Sequence, residues 1–332
     1  MASSRIAALA VGYVAAIVGA GFVSGREIQV FFIEPGASLW GIAVTAVLFA
    51  LLGIVITDLS AHWEVANYRD LLVKVAGPAA PAADIVLGAF VFVTFCAVEA
   101  GGGELVRSLT GMPRIPASAL WGLLAVLALL LTGRRLRVVQ GALVVILVSA
   151  LLLAYATVPA GAALWTGAGA HAYGSHLLYV GYNVMLAVAA LPALAAKTPR
   201  NSERRAGAVA GAVGIALAIY AIADVVLRAG PGAASHPLPA WFAAGRGPHW
   251  LAPAMAIAIA AATAGALISY LIALSTRYPV LTRPWPLLAL WAGSLVVSSS
   301  GLVAIVDTAY PIMGLVSCFL LAAFVVRWIS GG

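Results

Sequence analysis

The sequence predicts an all-α polytopic membrane protein with ten transmembrane helices in two inverted repeats of five, with helices 1 and 6 broken. Of the 332 residues, 64% are hydrophobic and only 9% are charged, whereas soluble domains carry about 25% charged residues. A soluble globule could not cover its surface with so much Ala, Val and Leu without aggregating. The composition excludes a soluble enzyme, a disordered chain and a nucleic-acid-binding domain. We therefore expect a lipid bilayer as a partner and no nucleic acid.

Apolar runs near the membrane-spanning length of about 20 residues are separated by breaks rich in Gly, Pro and charged residues. They divide into a first repeat within 1–165 and a second within 166–332, which together form one integral membrane domain. Because each half has an odd number of spans, the second enters the membrane from the opposite side, as in an inverted repeat. The predicted spans are 5–33, 39–62, 82–109, 116–132 and 137–158, then 174–196, 206–228, 250–276, 285–299 and 302–328.

The basic residues predict the orientation. With the N-terminus inside, thirteen of the eighteen Lys and Arg residues fall on the inner side, where membrane proteins concentrate positive charge. We expect both termini in the cytoplasm and the protein in the inner membrane of the cell. The first apolar run continues to Phe31-Phe32, so it is expected to be a retained helix rather than a signal peptide.

Two interruptions predict where a solute binds. The first span carries Gly19-Ala20-Gly21 and Ser24-Gly25 in mid-membrane, and the sixth carries Gly181-Tyr182-Asn183. Glycine disfavours helix by about 1 kcal/mol relative to alanine, and unwound backbone in a membrane is tolerated where it lines a cavity. Two such breaks in inverted halves point to a central site. The alternative is that these small residues serve close helix packing.

The segment from Gly19 to Ile28, followed by Phe31-Phe32, resembles the first-helix signature of the YkvI-type bacterial membrane proteins. That family is similar to the amino acid–polyamine–organocation superfamily with the LeuT fold, and its members are regarded as candidate amino acid permeases. The resemblance implies substrate binding by the broken helices 1 and 6. The implied substrate-binding residues are Gly19, Ala20, Gly21, Phe22, Ser24, Gly25, Gly181, Tyr182 and Asn183.

The resemblance also bears on the coupling ion, H+ or Na+. In sodium-coupled relatives, carbonyls of helix 1 and hydroxyls of helix 8 hold the ion, and the eighth span offers Thr263 and Ser269. Thr263 is followed by Ala264, so the adjacent hydroxyl pair of such sites is missing. The fifth-span lysine of some proton-coupled relatives is missing as well.

Acidic residues inside the predicted spans are functional candidates, because a buried charge is costly unless it is paired. Glu99, deep in the third span, is the predicted proton site. Glu27, beside the first break, is expected to act in gating or in recognition of a substrate amine, or else to form a structural bond to nearby backbone. Asp307, near Pro311, either joins a network with the broken helices or caps the carbonyl left free by the proline.

Three further charged pairs have a structural interpretation. Glu104 with Arg107 predicts an ion pair at the outer end of the third span, and Asp224 with Arg228 predicts an i,i+4 pair in the seventh. Asp58 and His62 have the same spacing at the inner end of the second span. Cys96 and Cys318 lie in apolar runs and are expected to be small buried side chains.

The function predicted from these features is ion-coupled secondary transport of a small solute, an amino acid or a related amine, by alternating access. The alternative is a membrane nutrient sensor that uses the same pocket without net transport. An enzyme is not expected, since no nucleophile–His set converges within the spans. The sequence indicates no metal site and no cofactor beyond the coupling ion, and it does not indicate the oligomeric state.

Overall fold

The computed structural model describes residues 2–18, 20–132, 149–159, 165, 167 and 169–331, and most of this length is helical. The helices of the first half are α1 (Ala2–Ile17), α2 (Ala20–Ser24), α3 (Arg26–Ile28), α4 (Leu39–His62), α5 (Tyr68–Ala76), α6 (Ala80–Thr110), α7 (Arg114–Thr132) and α8 (149–157). Those of the second half are α9 (Ala170–Ala187), α10 (Leu191–Ala196), α11 (Asn201–Ala229), α12 (Pro231–Ala234), α13 (Pro239–Ala244), α14 (Leu251–Arg277), α15 (Pro284–Ser298) and α16 (Leu302–Ile329).

Most predicted spans correspond to helices whose ends lie within a few residues of the predicted ones. By length and composition, five stretches are able to cross a membrane: Leu39–His62, Tyr68–Thr110, Asn201–Ala229, Leu251–Arg277 and Leu302–Ile329. Shorter apolar helices cover Ser3–Ile17, Arg114–Leu130 and Pro284–Ser298. Much of the predicted fifth span, 137–158, lies outside the described residues.

The long helices are apolar on the faces that point outward as well as on those that point inward. Trp285 is 80% exposed, Trp40 and Val296 are each 77% exposed, and Phe319 is 74% exposed. Large apolar side chains cover the outside of a helix bundle when its surroundings are lipid rather than water. This surface agrees with the bilayer that the composition predicts.

The first predicted span consists of three helical pieces. α1 ends at Ile17, α2 begins at Ala20, and Gly25 separates α2 from α3 with a φ of 82°. That left-handed conformation is accessible to glycine without steric cost. α3 then continues as a π-helical turn, Gln29–Ile33.

The sixth predicted span is interrupted at a different place from the predicted one. α9 remains helical through Gly181-Tyr182-Asn183, and a turn at 188–190 separates it from α10. The predicted position was wrong because the Asn183 amide donates to the Tyr179 carbonyl, 3.0 Å away, and is satisfied within the helix. Pro192 lies in the first turn of α10, where its missing N–H costs nothing.

Gly181 contacts α16 rather than an open space. A Cβ on Gly181 would lie 2.9 Å from the Gly314 carbonyl oxygen, and one on Gly314 would lie 2.4 Å from the Leu178 carbonyl oxygen. The two glycines let the backbones of α9 and α16 cross closely. The contacts of Gly181 therefore agree with the alternative interpretation, in which small residues serve close helix packing.

One end of the bundle collects arginine–carboxylate pairs from several helices. Arg5 of α1 lies 3.5 Å from Glu203 of α11, and Arg205 lies 2.9 Å from Asp58 of α4. The predicted Asp58–His62 pair is thus replaced by one between helices, because Arg205 brings a permanent charge to the carboxylate. At the same end, Arg277 of α14 pairs with Asp84 of α6.

Three short helices were not predicted from the sequence. α5 begins where the Asn67 side chain accepts a hydrogen bond from the Asp70 backbone N–H, 3.0 Å away. α12 and α13 fill the connection between α11 and α14. All three lie outside the long apolar runs, where only capping and turn residues would indicate them.

Candidate functional site

The helical segment after Gly25 places two adjacent charged residues in different surroundings. Arg26 donates to Asp307 of α16 from Nε (3.1 Å to Oδ1) and from Nη2 (2.7 Å to Oδ1 and 2.5 Å to Oδ2). Its Nη1 lies 3.7 Å from a Glu34 oxygen. Asp307 thus contacts the first span, as the first of its two predicted roles requires. This fork-shaped contact ties α3 to α16.

Glu27 turns away from that pair, toward α9. The Tyr182 hydroxyl donates to Glu27 Oε2 at 2.5 Å, and Glu27 is only 6% exposed. A Cβ on Gly21 would lie 2.0 Å from Glu27 Oε1, so the carboxylate lies directly over the bare Cα of Gly21. The interruption in the first span thereby brings a carboxylate to the sixth.

Aromatic rings surround this contact. The Tyr182 ring centroid lies 4.8 Å from that of Tyr310, 5.5 Å from that of Tyr179 and 5.7 Å from that of Phe31. All four rings are at most 1% exposed. They separate Glu27 from solvent.

A small void borders Gly21. It has no room for a water-sized molecule. Small side chains and backbone from the first, third and eighth predicted spans, with one leucine of α16, form its wall. The lining residues are Gly21, Ser24, Ala97, Val98, Gly101, Ile259, Thr263 and Leu302.

The two hydroxyls at this void have partners in their own helices. Ser24 Oγ donates to the Gly21 carbonyl at 2.7 Å, and Thr263 Oγ1 lies 2.9 Å from the Ile259 carbonyl. Ser269, the second predicted hydroxyl of α14, borders a different cavity. The structure therefore does not bring Thr263 and Ser269 to one place.

Glu99 lies in a separate polar cluster between α6, α7 and α15. It is completely buried, and its Oε2 accepts from Ser294 Oγ at 2.7 Å and from Ser298 Oγ at 2.6 Å. Its Oε1 has no hydrogen-bond partner among the described residues. A Cβ on Gly122 would lie 1.9 Å from that oxygen. The carboxyl group is thus held by hydroxyls and not by a cation.

Two larger cavities open at the end that carries the arginine–carboxylate pairs. One of about 660 Å³ is lined by Asp58, His62 and Arg204, among others. Another of about 510 Å³ reaches from Arg277 to Ser269 and to Ala189, in the turn between α9 and α10. The second cavity extends from this end of the bundle to the interruption in the sixth span.

The remaining predicted site residues have mixed placements. Gly19 and the side chain of Ala20 lie outside the described residues. Phe22 is completely buried. The Glu104–Arg107 and Asp224–Arg228 ion pairs form as predicted. Within the described ranges, no group of three or more His, Cys, Asp and Glu side chains is placed to hold a metal ion.

Sequence reasoning missed the hydroxyls that hold Glu99 and the small residues that form the void. Ser294 and Ser298 are four residues apart in an apolar helix, a spacing that places both on one face. That spacing was a usable signal. No comparable signal distinguishes Ala97 or Gly101 from other small residues in the third span.

No family model matches the chain. A relative, the uncharacterized membrane protein YkvI of Bacillus subtilis, is 34% identical over 106 residues, which is 31% of the chain and 30% of that protein. The matched stretch therefore spans less than a third of the length of this relative.

Solved transporter structures are similar over nearly the whole chain. MhsT, solved in complex with L-phenylalanine, has a TM-score of 0.64 at 14% identity and covers 95% of the chain and 88% of its own. Mhp1 in its inward-facing conformation has a TM-score of 0.57 at 15% identity, and the match covers 98% of the chain and 77% of the Mhp1 chain. The manganese transporter of Eremococcus coleocola has a TM-score of 0.51 at 15% identity, and the match covers 96% of the chain and 77% of the transporter chain.

The chain has the LeuT fold of these proteins. It is a membrane protein. The resemblance drawn from the first-helix signature is confirmed, both by the relative found and by the fold.

Proposed function

We propose that the protein is a secondary transporter that moves a small solute, an amino acid or a related amine, by ion-coupled alternating access. The observation that carries this proposal is the contact of Glu27 with Tyr182. An interrupted helix delivers a buried carboxylate to the sixth span, directly over Gly21 and beside the void. Irregular backbone at membrane depth, lining a small cavity between two repeats, is typical of transporter binding sites.

The proposed architecture has ten spans in two inverted repeats, 1–165 and 166–332. α1 to α3, with the π-helical turn, form the broken first span, and α9 with α10 form the broken sixth. Both termini lie in the cytoplasm, and the protein resides in the inner membrane. The arginine-rich end that carries Arg5, Arg205 and Arg277 is then the cytoplasmic end.

The proposed solute site lies at the void, which must widen to admit a solute because it has no room for a water-sized molecule in this state. It comprises Gly21, Phe22, Ser24 and Gly25 of the first span, with Gly19 and Ala20, and the side chain of Tyr182. In this assignment Gly181 and Asn183 support α9, since their contacts are with α16 and within the helix.

The arrangement of closed and open ends supports alternating access. In this proposal the Arg26–Asp307 pair, which joins α3 to α16, closes the bundle toward the outside. The cavity that reaches Ala189 opens at the arginine-rich end. This state is closed to the outside, and the reverse state requires the Arg26–Asp307 contact to separate.

The coupling ion in this proposal is a proton at Glu99. The Ser294 and Ser298 oxygens lie at hydrogen-bond distance from its carboxyl group, which leaves no space for a metal ion between them. Both serines also lie within reach of backbone carbonyls, of Trp291 at 2.7 Å and of Cys96 at 3.1 Å. The cluster can therefore accept a proton on Glu99 and redirect a serine hydroxyl without moving heavy atoms. A sodium site is less well supported, because Thr263 lies at the void without Ser269, the second predicted hydroxyl of α14.

Uptake into proteoliposomes tests the function. A panel of radiolabelled amino acids and amines is offered with a pH gradient, with a sodium gradient and with neither. We expect accumulation of a small solute that depends on the pH gradient. Specific binding with no accumulation under any gradient would contradict transport and favour a sensor.

A further inference from the structure

The connection between α11 and α14 covers the break in the first span. Its second helix, α13, packs against α2, α11 and α14. A Cβ on Gly25 would lie 3.0 Å from the Ala240 backbone nitrogen and 3.3 Å from the Pro239 Cβ, so the first turn of α13 lies against the bare Cα of Gly25. Residues of α2 and of α14 line the void. A displacement of α13 therefore removes a contact that holds two walls of the void together.

One side chain holds the start of α13. His236 Nδ1 accepts a hydrogen bond from the Leu238 backbone N–H at 3.0 Å, and Leu238 is completely buried. Pro239, the first residue of α13, has no N–H to donate. The imidazole centroid lies 5.8 Å from that of Trp241 and 5.3 Å from that of Phe242. The bond spans two residues, as in the turns that Asn and Asp side chains stabilise, and it fixes the direction in which the chain enters α13.

This bond depends on the protonation state of the ring, since both nitrogens of a protonated histidine are donors and neither can accept. His236 lies in the connection, outside the spans, and burial lowers its pKa below the ordinary value of 6.5. The ring is therefore neutral near neutral pH. The charged groups that face it are Glu104 and Arg107 of α6, which pair with each other. Arg246 lies over the Phe242 ring, 5.6 Å from its centroid. Among these groups, no carboxylate is left unpaired to hold a protonated ring.

We propose that His236 is a pH-sensitive latch for α13, in which protonation of the ring breaks the bond to the Leu238 N–H and releases α13 from Gly25. Because the pKa of His236 is lowered when α13 is in place, the ordered connection loses stability as the pH falls through that lowered value. The latch is argued from the contacts of α13 alone.

The effect of the latch on transport rests on the proposed function and orientation. The connection joins the end of α11 to the start of α14, and so lies at the end of the bundle opposite the arginine-rich one. In the proposed orientation this is the outer end. Acid outside then favours opening of the void toward the outside, because α13 no longer packs across α2 and α14.

Amide hydrogen exchange of residues 231–246 tests the latch in the full-length protein. Purified protein is labelled at about pH 7.5 and at about pH 5, on either side of the ordinary histidine pKa of about 6.5. Each observed rate is divided by the intrinsic rate of an unstructured peptide at the same pH. We expect the protection of this segment to fall about fivefold at the acidic pH, as for the loss of one hydrogen bond, while the middle of α14 keeps its protection.

Three variants isolate the ring. His236→Asn keeps a side-chain oxygen that can accept the same N–H but does not titrate in this range, so its protection should stay high at both pH values. His236→Ala removes the acceptor, so its protection should be low at both. His249→Asn is the matched control, because His249 is an exposed histidine of the same connection, and its protection should fall as in the wild type. If His236→Ala does not fold, the contrast between the wild type and His236→Asn decides alone.

Initial rates of uptake into proteoliposomes measure the effect on opening. The outer pH is varied while the pH difference across the membrane is held constant, so that the driving force on a coupling proton does not change. We expect acid outside to raise the rate of the wild type and of His249→Asn, and to leave the rate of His236→Asn unchanged. Equal stimulation of His236→Asn would overturn the effect of the latch on opening.

The latch itself would be overturned if the protection of 231–246 did not change with pH in the wild type, fell equally in His236→Asn, or stayed high in folded His236→Ala. Failure of the transport proposal gives a different result. Exchange as expected, without uptake under any gradient, keeps the latch and removes transport. Uptake together with pH-independent exchange keeps transport and removes the latch.

Discussion

At the scale of single residues, the side chains that matter most are those that glycine allows to approach. Glu27 Oε1 occupies the space that a Cβ on Gly21 would need, and Gly25 holds a φ of 82° between α2 and α3. An L-residue is strained at such a φ. The two glycines act differently. Gly21 leaves space for the Glu27 carboxylate, and Gly25 lets the backbone turn between α2 and α3.

Tyr182→Phe removes the hydroxyl that donates to Glu27. A buried acceptor left without its partner costs about 1–3 kcal/mol, so we expect a loss of unfolding free energy of that size. Chemical unfolding in detergent, followed by circular dichroism, measures it.

Tyr179→Phe is the matched control, because the Tyr179 hydroxyl is equally buried and has no hydrogen-bond partner among the described residues. We expect little change for this variant. Equal losses for the two variants would mean that the Tyr182–Glu27 bond does not contribute specifically.

At the scale of elements, one ion pair joins α3 to α16. Arg26 has only 8% of its side chain exposed and makes two hydrogen bonds from Nη2 to Asp307. A double-mutant cycle with Arg26→Gln and Asp307→Asn should give a coupling energy of about 1–3 kcal/mol, as for groups in direct contact. Unfolding free energies of the four proteins supply the cycle.

The pair of Arg26 with Glu34 provides the internal comparison. Its atoms are 3.7 Å apart and Glu34 is 48% exposed, so the coupling from Arg26→Gln with Glu34→Gln should stay below about 1 kcal/mol. A larger coupling energy for Arg26 with Glu34 than for Arg26 with Asp307 would contradict the contact of α3 with α16 described above.

Glu99 takes part in the contact between α6 and α15. Glu99→Gln keeps the size of the side chain and an oxygen that can accept from Ser294 or Ser298, but it cannot exchange a proton. We expect a folded protein whose uptake no longer responds to a pH gradient. Transport assays at equal and unequal pH across the vesicle membrane measure the response.

Glu104→Gln serves as the comparison, because Glu104 lies on the same helix and pairs with Arg107. Its response to the pH gradient should match that of the wild-type protein. If Glu99→Gln also retains the full response, the coupling proton binds elsewhere, and Glu99 serves only to hold α6 to α15.

At the scale of the whole molecule, the arginine-rich end predicts the orientation. Ser202 and Ser235 are both exposed; Ser202 lies in the first turn of α11, and Ser235 follows α12, beyond the other end of α11. In a background where Cys96 and Cys318 are replaced by alanine, Ser202→Cys should react with a membrane-impermeant maleimide only from the cytoplasmic side. Ser235→Cys should react only from the outside. The reverse pattern would invert the proposed topology.

The helices and the site differ in how far the sequence predicts them. Apolar runs located α4, α6, α14 and α16 to within a few residues, because length and hydropathy are local properties of the chain. The interruption of the sixth span was placed at Gly181-Tyr182-Asn183 and lies at 188–190. Residue type alone could not show that Asn183 would be satisfied inside its own helix.

The sequence by itself determined that this chain is an all-helical membrane protein, because composition and hydropathy act locally. Only the tertiary structure decided which charges meet. It turned Arg26 to Asp307 and its neighbour Glu27 to Tyr182, and it gave Glu99 two serines of α15. These partners are separated by 155 to 281 residues along the chain, so their pairing follows from helix packing and not from any local pattern.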